Sequence, residues 1–225
     1  MNRRSIVAFA AASAATCALL ACTPLRVVTH SVSASETAVP AGAYTLDAHH
    51  WSVVFDVDHL HYTRFVMRFD RASATLDWRA NGLDDAAVHV SIDAASLDTN
   101  VPVLDRMVTG SQMLDAAQHP QIRFASTRFV RGADVNGKPA GKLAGNLTIR
   151  GVTQPVTLDV VFNGYAPNPL TKQPTIGFSA HGAFSRAKFG LSTWYPAVGD
   201  DVDVRIEAEF EQQAQAAQPA EPASQ

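Results

Sequence analysis

Apolar residues recur at every second position through most of this chain, and that period restricts the fold more than any other feature. Val53, Phe55 and Val57 alternate with Ser52, Val54, Asp56 and Asp58. Val88, Val90 and Ile92 alternate with His89, Ser91 and Asp93. Leu143, Leu147 and Ile149 share one parity with Gly145 between them, and Val156, Leu158, Val160 and Phe162 share another. Ile176, Phe178, Ala180, Gly182 and Phe184 form a longer run. Val202, Val204, Ile206 and Phe210 close the series against Asp203, Arg205, Glu207 and Glu209. A period of two with one apolar face marks half-buried antiparallel strands.

Within residues 64–78 the phase changes. Phe65, Met67 and Phe69 share one parity, whereas Ala74, Leu76 and Trp78 share the other. A bulge or bend between Asp70 and Ser73 reconciles them, since one extra residue flips the side-chain direction. Long bent strands help a sheet curl onto itself. Turn signals at Asn81-Gly82, Asn136-Gly137 and Asn163-Gly164 then favour a barrel or sandwich. One stretch, residues 102–114, departs from alternation: Val103, Leu104, Met107, Val108, Met113 and Leu114 lie closer to helical spacing. Thr99 or Asn100 is expected to cap it, with Pro102 in the first turn. The residues thus predict an all-β fold with one or two short helices plugging or flanking it. No internal repeat and no heptad run stands out.

The chain has 225 residues, which allows one domain or at most two small ones. Lys plus Arg is 18 against 21 for Asp plus Glu, so no basic excess exists to attract a phosphate backbone, and a nucleic-acid role is disfavoured. Both cysteines, Cys17 and Cys22, lie near the start, so nothing after Cys22 forms a disulfide or a thiolate metal site. Residues 1–21 read as an export signal: Arg3 and Arg4, then an Ala-rich apolar run ending in Leu19-Leu20-Ala21-Cys22. That ending resembles the bacterial lipobox, which implies cleavage before Cys22, acylation of that cysteine and anchoring to a membrane through the lipid. Thr23 follows, where an Asp would imply inner-membrane retention, so the periplasmic face of the outer membrane is the expected location. Residues 22–43, rich in Ser, Thr, Ala and Pro, are expected to form a flexible tether. Residues 44–211 form the globular body, and 212–225, made of Gln, Ala, Pro, Glu and Ser, are expected to be disordered.

Five blocks of the body resemble the YceI-like proteins. They are Ser52-Val53-Val54-Phe55-Asp56-Val57-Asp58-His59-Leu60, Ala95-Ser96-Leu97-Asp98-Thr99-Asn100, His119-Pro120-Gln121-Ile122-Arg123-Phe124-Ala125-Ser126-Thr127, residues 145–156 (Gly145-Asn146-Leu147-Thr148-Ile149-Arg150-Gly151-Val152 and onward to Val156), and Phe184-Ser185-Arg186-Ala187-Lys188-Phe189-Gly190-Leu191. They come in the family's order and together span nearly the whole body. The resemblance implies an eight-stranded antiparallel, lipocalin-like β-barrel in the periplasm that binds a polyisoprenoid or similar long amphiphile, and it implies no enzymatic reaction. The chain departs from the pattern in places. The family's R-D-x-H-L reads Leu104-Asp105-Arg106-Met107-Val108 here, losing the Arg and the His. A family Gly is replaced by Met67 or Arg68, and paired Phe by Met113-Leu114. These changes leave the fold intact and put head-group recognition in question.

An eight-stranded barrel has an interior just wide enough to be filled by side chains or to hold one slender ligand. Such a site needs apolar walls and a few polar groups at its mouth. Candidate wall residues are Phe55, Val57, Phe65, Met67, Phe69, Ile92, Phe124, Leu147, Phe162, Phe178 and Phe184, each of which also reads as plain packed core. Trp194 and Tyr195 are candidates for the mouth. His59, which the family pattern shares, and Arg186 are candidates for a ligand's polar end; for Arg186 a structural role inside or beneath the barrel, such as pairing with a carboxylate, is favoured.

Other chemistry finds little support. His49-His50 and His59-Leu60-His61 suggest a metal only weakly, because the body holds no Cys and no fixed carboxylate spacing accompanies them. Asp98 and Thr99 read as turn or cap residues. Asn146-Leu147-Thr148 matches a glycosylation sequon by accident of a strand sequence. No Gly-rich phosphate loop precedes a helix and no G-x-S-x-G elbow is present. The expectation is a binding protein rather than an enzyme, a periplasmic carrier of an isoprenoid quinone, polyprenyl lipid or fatty amphiphile, with no cofactor beyond such a lipid and with a homodimer left open. Two other readings remain: an envelope stress-related interaction protein whose barrel is filled by its own side chains, and an enzyme acting on a lipid-like substrate.

Overall fold

The computed structural model describes residues 27–213. The signal segment, Cys22 and most of the C-terminal tail lie outside them. Ten strands form one antiparallel sheet: β1 (Gly42–His59), β2 (Thr63–Phe69), β3 (Ala72–Arg79), β4 (Gly82–Asp93), β5 (Leu97–Asp98), β6 (Gln121–Arg131), β7 (Ala140–Ile149), β8 (Val152–Pro167), β9 (Pro174–Ser185) and β10 (Val198–Gln212). One helix, α1 (Pro102–Thr109), sits between β5 and β6. The sheet closes where β1 pairs with β10, Tyr44 opposite Gln212 and Val57 opposite Val202.

The ten strands make eight staves of a closed barrel. The long β1 explains the difference in number. Its second half pairs with β2, Val53 opposite Phe69, and its first half with β3, Tyr44 opposite Leu76. So β2 and β3 are one stave, interrupted at Asp70-Arg71, where the change of phase required a bend. Ser96 fills the gap in the ladder: its carbonyl accepts from the Asp70 N–H at 3.0 Å and its hydroxyl oxygen from the Arg71 N–H at 3.0 Å. On either side of the break Met67 and Phe69, then Ala74, Leu76 and Trp78, are buried. Likewise β5 continues β4 beyond a 3-10 turn (Ala94–Ser96).

Pro102 opens α1 as expected, but neither Thr99 nor Asn100 caps it; the N-cap residue is Val101, with no side-chain bond. The Thr99 hydroxyl donates instead to Asp105 Oδ1 at 2.6 Å, and the Thr99 N–H donates to the same oxygen at 2.8 Å. Asn100 takes a left-handed φ of 60°, with its N–H on Asp98 Oδ1 at 2.7 Å. An acid in the first helical turn thus reaches back to hold the preceding loop, the reverse of a cap.

The segment expected as a flexible tether is docked on the barrel for much of its described length. Ser33 and Tyr165 exchange backbone hydrogen bonds at 2.8 and 2.9 Å. Glu36, in a 3-10 turn (Glu36–Ala38), accepts two hydrogen bonds from Arg131 at 2.7 and 2.9 Å and one from the Leu83 N–H at 2.8 Å. Gly82 has a left-handed φ of 62°, and a Cβ there would fall 2.3 Å from the Glu36 carboxylate, so the Asn81-Gly82 turn is also the seat for this acid. Val39 is buried against the same end of the barrel. The Ser/Thr/Pro composition concealed this contact because its partners lie far along the chain.

Burial acts to raise the Glu36 carboxyl, yet the Arg131 and Leu83 hydrogen bonds carry it net below its ordinary value of 4.5. A depressed folded value contributes stability that is complete above the unfolded value and lost as pH falls through the folded one. Glu36→Gln is therefore expected to be less stable than the parent at pH 7, with the difference shrinking below pH 4.5. Urea midpoints at neutral and acid pH check this, and a pH-independent difference would contradict it.

Candidate functional site

The inward face of the barrel leaves a cavity of about 630 Å³, within the roughly 300–1,000 Å³ usual for small-molecule sites. One end is shut by aromatic packing. Trp78 stacks on Phe162 with centroids 5.7 Å apart, Phe178 meets Phe162 edge-on at 5.8 Å, and Phe210 meets Phe178 edge-on at 6.0 Å. Tyr44 and Ile176 complete this floor, and the Tyr44 hydroxyl donates to the Pro40 carbonyl at 2.8 Å. The other end opens among His59 and Leu60 after β1, Leu104, Met107 and Val108 of α1, and Trp194 and Ala197 between β9 and β10.

Of the residues proposed from sequence, Phe55, Val57, His59, Phe65, Met67, Phe69, Ile92, Phe124, Leu147, Phe178, Phe184, Arg186 and Trp194 all line this cavity. Phe162 does not. It points inward as its parity requires, but it is fully buried beneath Phe178 as part of the floor. Parity fixes the face of a strand and says nothing about height along the barrel. Sequence reasoning missed Trp51 and the helix residues Leu104, Met107 and Val108. Trp51 follows a bulge in which residues 47–50 of β1 oppose Glu209 alone, so the period breaks just before it. The helix residues follow i, i+3, i+4 spacing, which gave the helix but not what its apolar face meets.

The lining is nearly free of polar side chains. Ser52, His59, Arg186 and Glu207 are the polar residues that border it, and Ser52 and Glu207, paired across β1 and β10, hold the outward parity of their strands. His59 stands exposed at the mouth with its ring 5.7 Å from that of Phe65. Glu207 accepts a hydrogen bond from the Ser179 hydroxyl at 2.6 Å. Arg186 is only 4% exposed and binds backbone rather than a carboxylate. Its guanidinium donates to the carbonyls of Gly199 at 2.7 Å, Val198 at 2.8 Å, Thr193 at 3.0 Å and, closely, Leu191. Burial lowers its pKa from the ordinary value, opposed by the nearby Asp200 carboxylate. The structural role expected of Arg186 is thus met by carbonyls: the cation gathers the loop that forms one side of the mouth.

The histidines do not assemble a metal centre at the mouth. His61 Nδ1 lies 2.8 Å from Asp58. Among the described residues the one group with metal-ligand character is Asp47, His50 and Glu209, on the bulge of β1 and beside it. There the Asp47 carboxylate already holds His50 Nδ1 at 2.8 Å, and that hydrogen bond raises the imidazole pKa.

A model of the YceI-like domain matches residues 44–210. The chain belongs to this family. A UPF0312 protein of Pectobacterium atrosepticum is 29% identical over 189 residues, covering 83% of this chain and 95% of that protein. Among solved structures, BcnA of Burkholderia cenocepacia superposes with a TM-score of 0.63 at 21% identity, over 73% of this chain and 98% of that one. A polyisoprenoid-binding domain of Saccharophagus degradans superposes with a TM-score of 0.58 at 14% identity, over 76% and 98% respectively. These two likenesses establish the fold. Against the YceI-like pattern, the Arg and His lost from the helix are replaced by Leu104 and Met107, and both replacements line the mouth. Met67, Met113 and Leu114 are buried and line the cavity too, whereas Arg68, the alternative to Met67 at the replaced Gly, is exposed and does not.

Replacing Arg186 by Met fills similar space and orphans its carbonyl partners. An expected loss of about 3 kcal/mol in unfolding free energy follows, because a buried acceptor left unpaired costs about 1–3 kcal/mol. Faster amide exchange confined to residues 191–199 would accompany it. Unchanged exchange there would show that the cation does not hold the loop.

Proposed function

We propose that this protein is a periplasmic carrier that holds an isoprenoid quinone, a polyprenyl lipid or a similar long amphiphile in its barrel, lipid-anchored through Cys22 to the outer membrane. The observation that carries the reading is the cavity: 630 Å³, walled almost wholly by apolar side chains and open at one end. Burial of apolar surface is worth about 25 cal/mol per Å², so a hydrocarbon chain gains affinity along its length without polar contacts. Water in such a cavity finds few partners, which makes it a poor competitor. The wall offers no fixed counter-charge deep inside, so the ligand's polar end belongs at the mouth, beside His59 and Trp194. The likeness to the Saccharophagus polyisoprenoid-binding domain supports the same class of ligand. The cavity also separates this reading from a barrel filled by its own side chains.

Export and anchoring rest on residues 1–22, read from sequence. Labelled palmitate is expected to enter the protein in growing cells and to be absent after Cys22→Ser; label retained by that variant would remove the anchor.

The carrier reading is tested by extracting lipid from protein purified from its native host and identifying it by mass spectrometry. An isoprenoid quinone or polyprenyl lipid is expected at near-stoichiometric amounts. Ala180→Trp, at a small position on the cavity wall, is expected to fold as judged by circular dichroism and to bind added quinone at least about tenfold more weakly, the equivalent of 1.4 kcal/mol. Repeated recovery of protein without lipid, together with no binding of added quinones or fatty amphiphiles, would overturn the reading.

A further inference from the structure

Three segments meet at the cavity mouth: the β1–β2 turn, α1 with the turn after it, and the loop between β9 and β10. They are tied together, the Leu60 N–H donating to the Ala197 carbonyl at 2.7 Å and the Thr193 hydroxyl to the Gln112 carbonyl at 2.9 Å. From this rim Leu60, Tyr62, Val103, Met107, Trp194 and Tyr195 stand exposed, Tyr62 at 84% and Tyr195 at 65%. Leu60, Met107 and Trp194 also line the cavity, so apolar surface runs unbroken from the interior onto the outside.

Two of the three rim segments are also uncharged. Residues 59–63 and 190–198 contain no Asp, Glu, Lys or Arg. In the helix segment Asp105 is turned back onto Thr99, Arg106 stands exposed, and Arg150 donates to the Ser111 carbonyl at 2.9 Å. Desolvating a charge is the largest cost of pressing a protein surface into a lipid headgroup layer, and here charge is confined to the helix side of the rim, where two arginines can meet lipid phosphates. Trp and Tyr, each an apolar ring with a polar tip, favour that layer. The N-terminal segment is pinned at the opposite pole by Ser33 and Glu36 and leaves the rim uncovered.

We propose that this rim docks on a phospholipid bilayer surface and seats the mouth at the level of the acyl chains, so that a ligand passes between membrane and cavity without crossing water. The proposal rests on the carrier reading and assigns its membrane-facing end.

The test uses the processed protein with its native N-terminus and phosphatidylcholine vesicles whose acyl chains are brominated, which quench tryptophan on close approach. Because every sample carries the same N-terminus, differences between variants report the rim. Vesicle-dependent quenching is expected in the parent. It is expected to fall about tenfold in effective vesicle affinity in Tyr62→Ser with Tyr195→Ser, the scale of losing two exposed aromatic contacts. It should be unchanged in Leu170→Ser, at an exposed position in the β8–β9 turn at the closed pole. Ubiquinone uptake from vesicles should slow in the double variant, whereas its affinity for ubiquinone supplied in detergent should stay the same, because neither Tyr62 nor Tyr195, the mouth candidate from sequence, lines the cavity. Equal quenching in all variants, or no quenching by the parent, overturns the docking surface. A dimer that the same substitutions dissociate, without vesicle quenching, overturns it too and assigns the rim to a second copy of the chain. Rim-dependent quenching without ubiquinone binding keeps the docking surface and removes the carrier reading.

Discussion

Closure of the sheet between β1 and β10 commits every inward side chain to a space enclosed by its own backbone, and the rest of the molecule follows from how that space is filled. A closed barrel has no edge to satisfy, so the interior is free to be apolar. What varies along the axis is side-chain volume. At the floor the inward positions are Trp78, Phe162, Phe178 and Phe210, and they interlock. Beyond them Ala74 and Ala180 share the wall with larger residues, and at the floor's own level Ala208 stands opposite Phe178, so the filling is incomplete. Dense packing and an apolar void are thus made by the same strands, through a change in residue size at constant parity.

Small residues do more than leave room. Gly145 lies where a Cβ would come within 2.3 Å of the Phe124 ring, and Gly182 where one would come within 2.6 Å of Leu158. These glycines let bulky neighbours lean across the wall on strands that pair directly, so the wall stays sealed where it curves. The cavity and the close packing beside it are complementary results of one large-small pattern.

Much of this was legible in the sequence. Alternation gave the strands and their inner faces, and the change of phase within residues 64–78 gave the break at Asp70-Arg71 before any coordinate did. What remained hidden has a common cause: it depends on height along the barrel or on partners distant in sequence. Phe162 has the parity of a wall residue and the height of a floor residue. Glu36 looked like part of a solvated Ser/Thr/Pro segment, yet Arg131 and Leu83 supply it with three hydrogen bonds. Thr99 had the chemistry of a cap, but Asp105 competes for its hydroxyl, and local propensity yields to the stronger charged acceptor. The apolar stripe of α1 announced burial without announcing that one side of it faces a cavity.

The two poles of the barrel are built by opposite means. At the closed pole an N-terminal segment is fastened by a carboxylate–guanidinium pair in which the Glu36 carboxylate is largely covered and three hydrogen bonds offset its desolvation. At the open pole a guanidinium is buried and surrounded by carbonyls, which satisfies its donors without placing a counter-charge beside the cavity. A carboxylate in that position would have put an acid at the mouth. Backbone acceptors keep the loop ordered while leaving the surface toward a ligand, and toward solvent, almost uncharged. Leu104 and Met107 extend the same economy across the mouth to the helix. Polar order and apolar access are reconciled by turning the polar groups of Arg186 inward against the loop and leaving hydrocarbon on the rim.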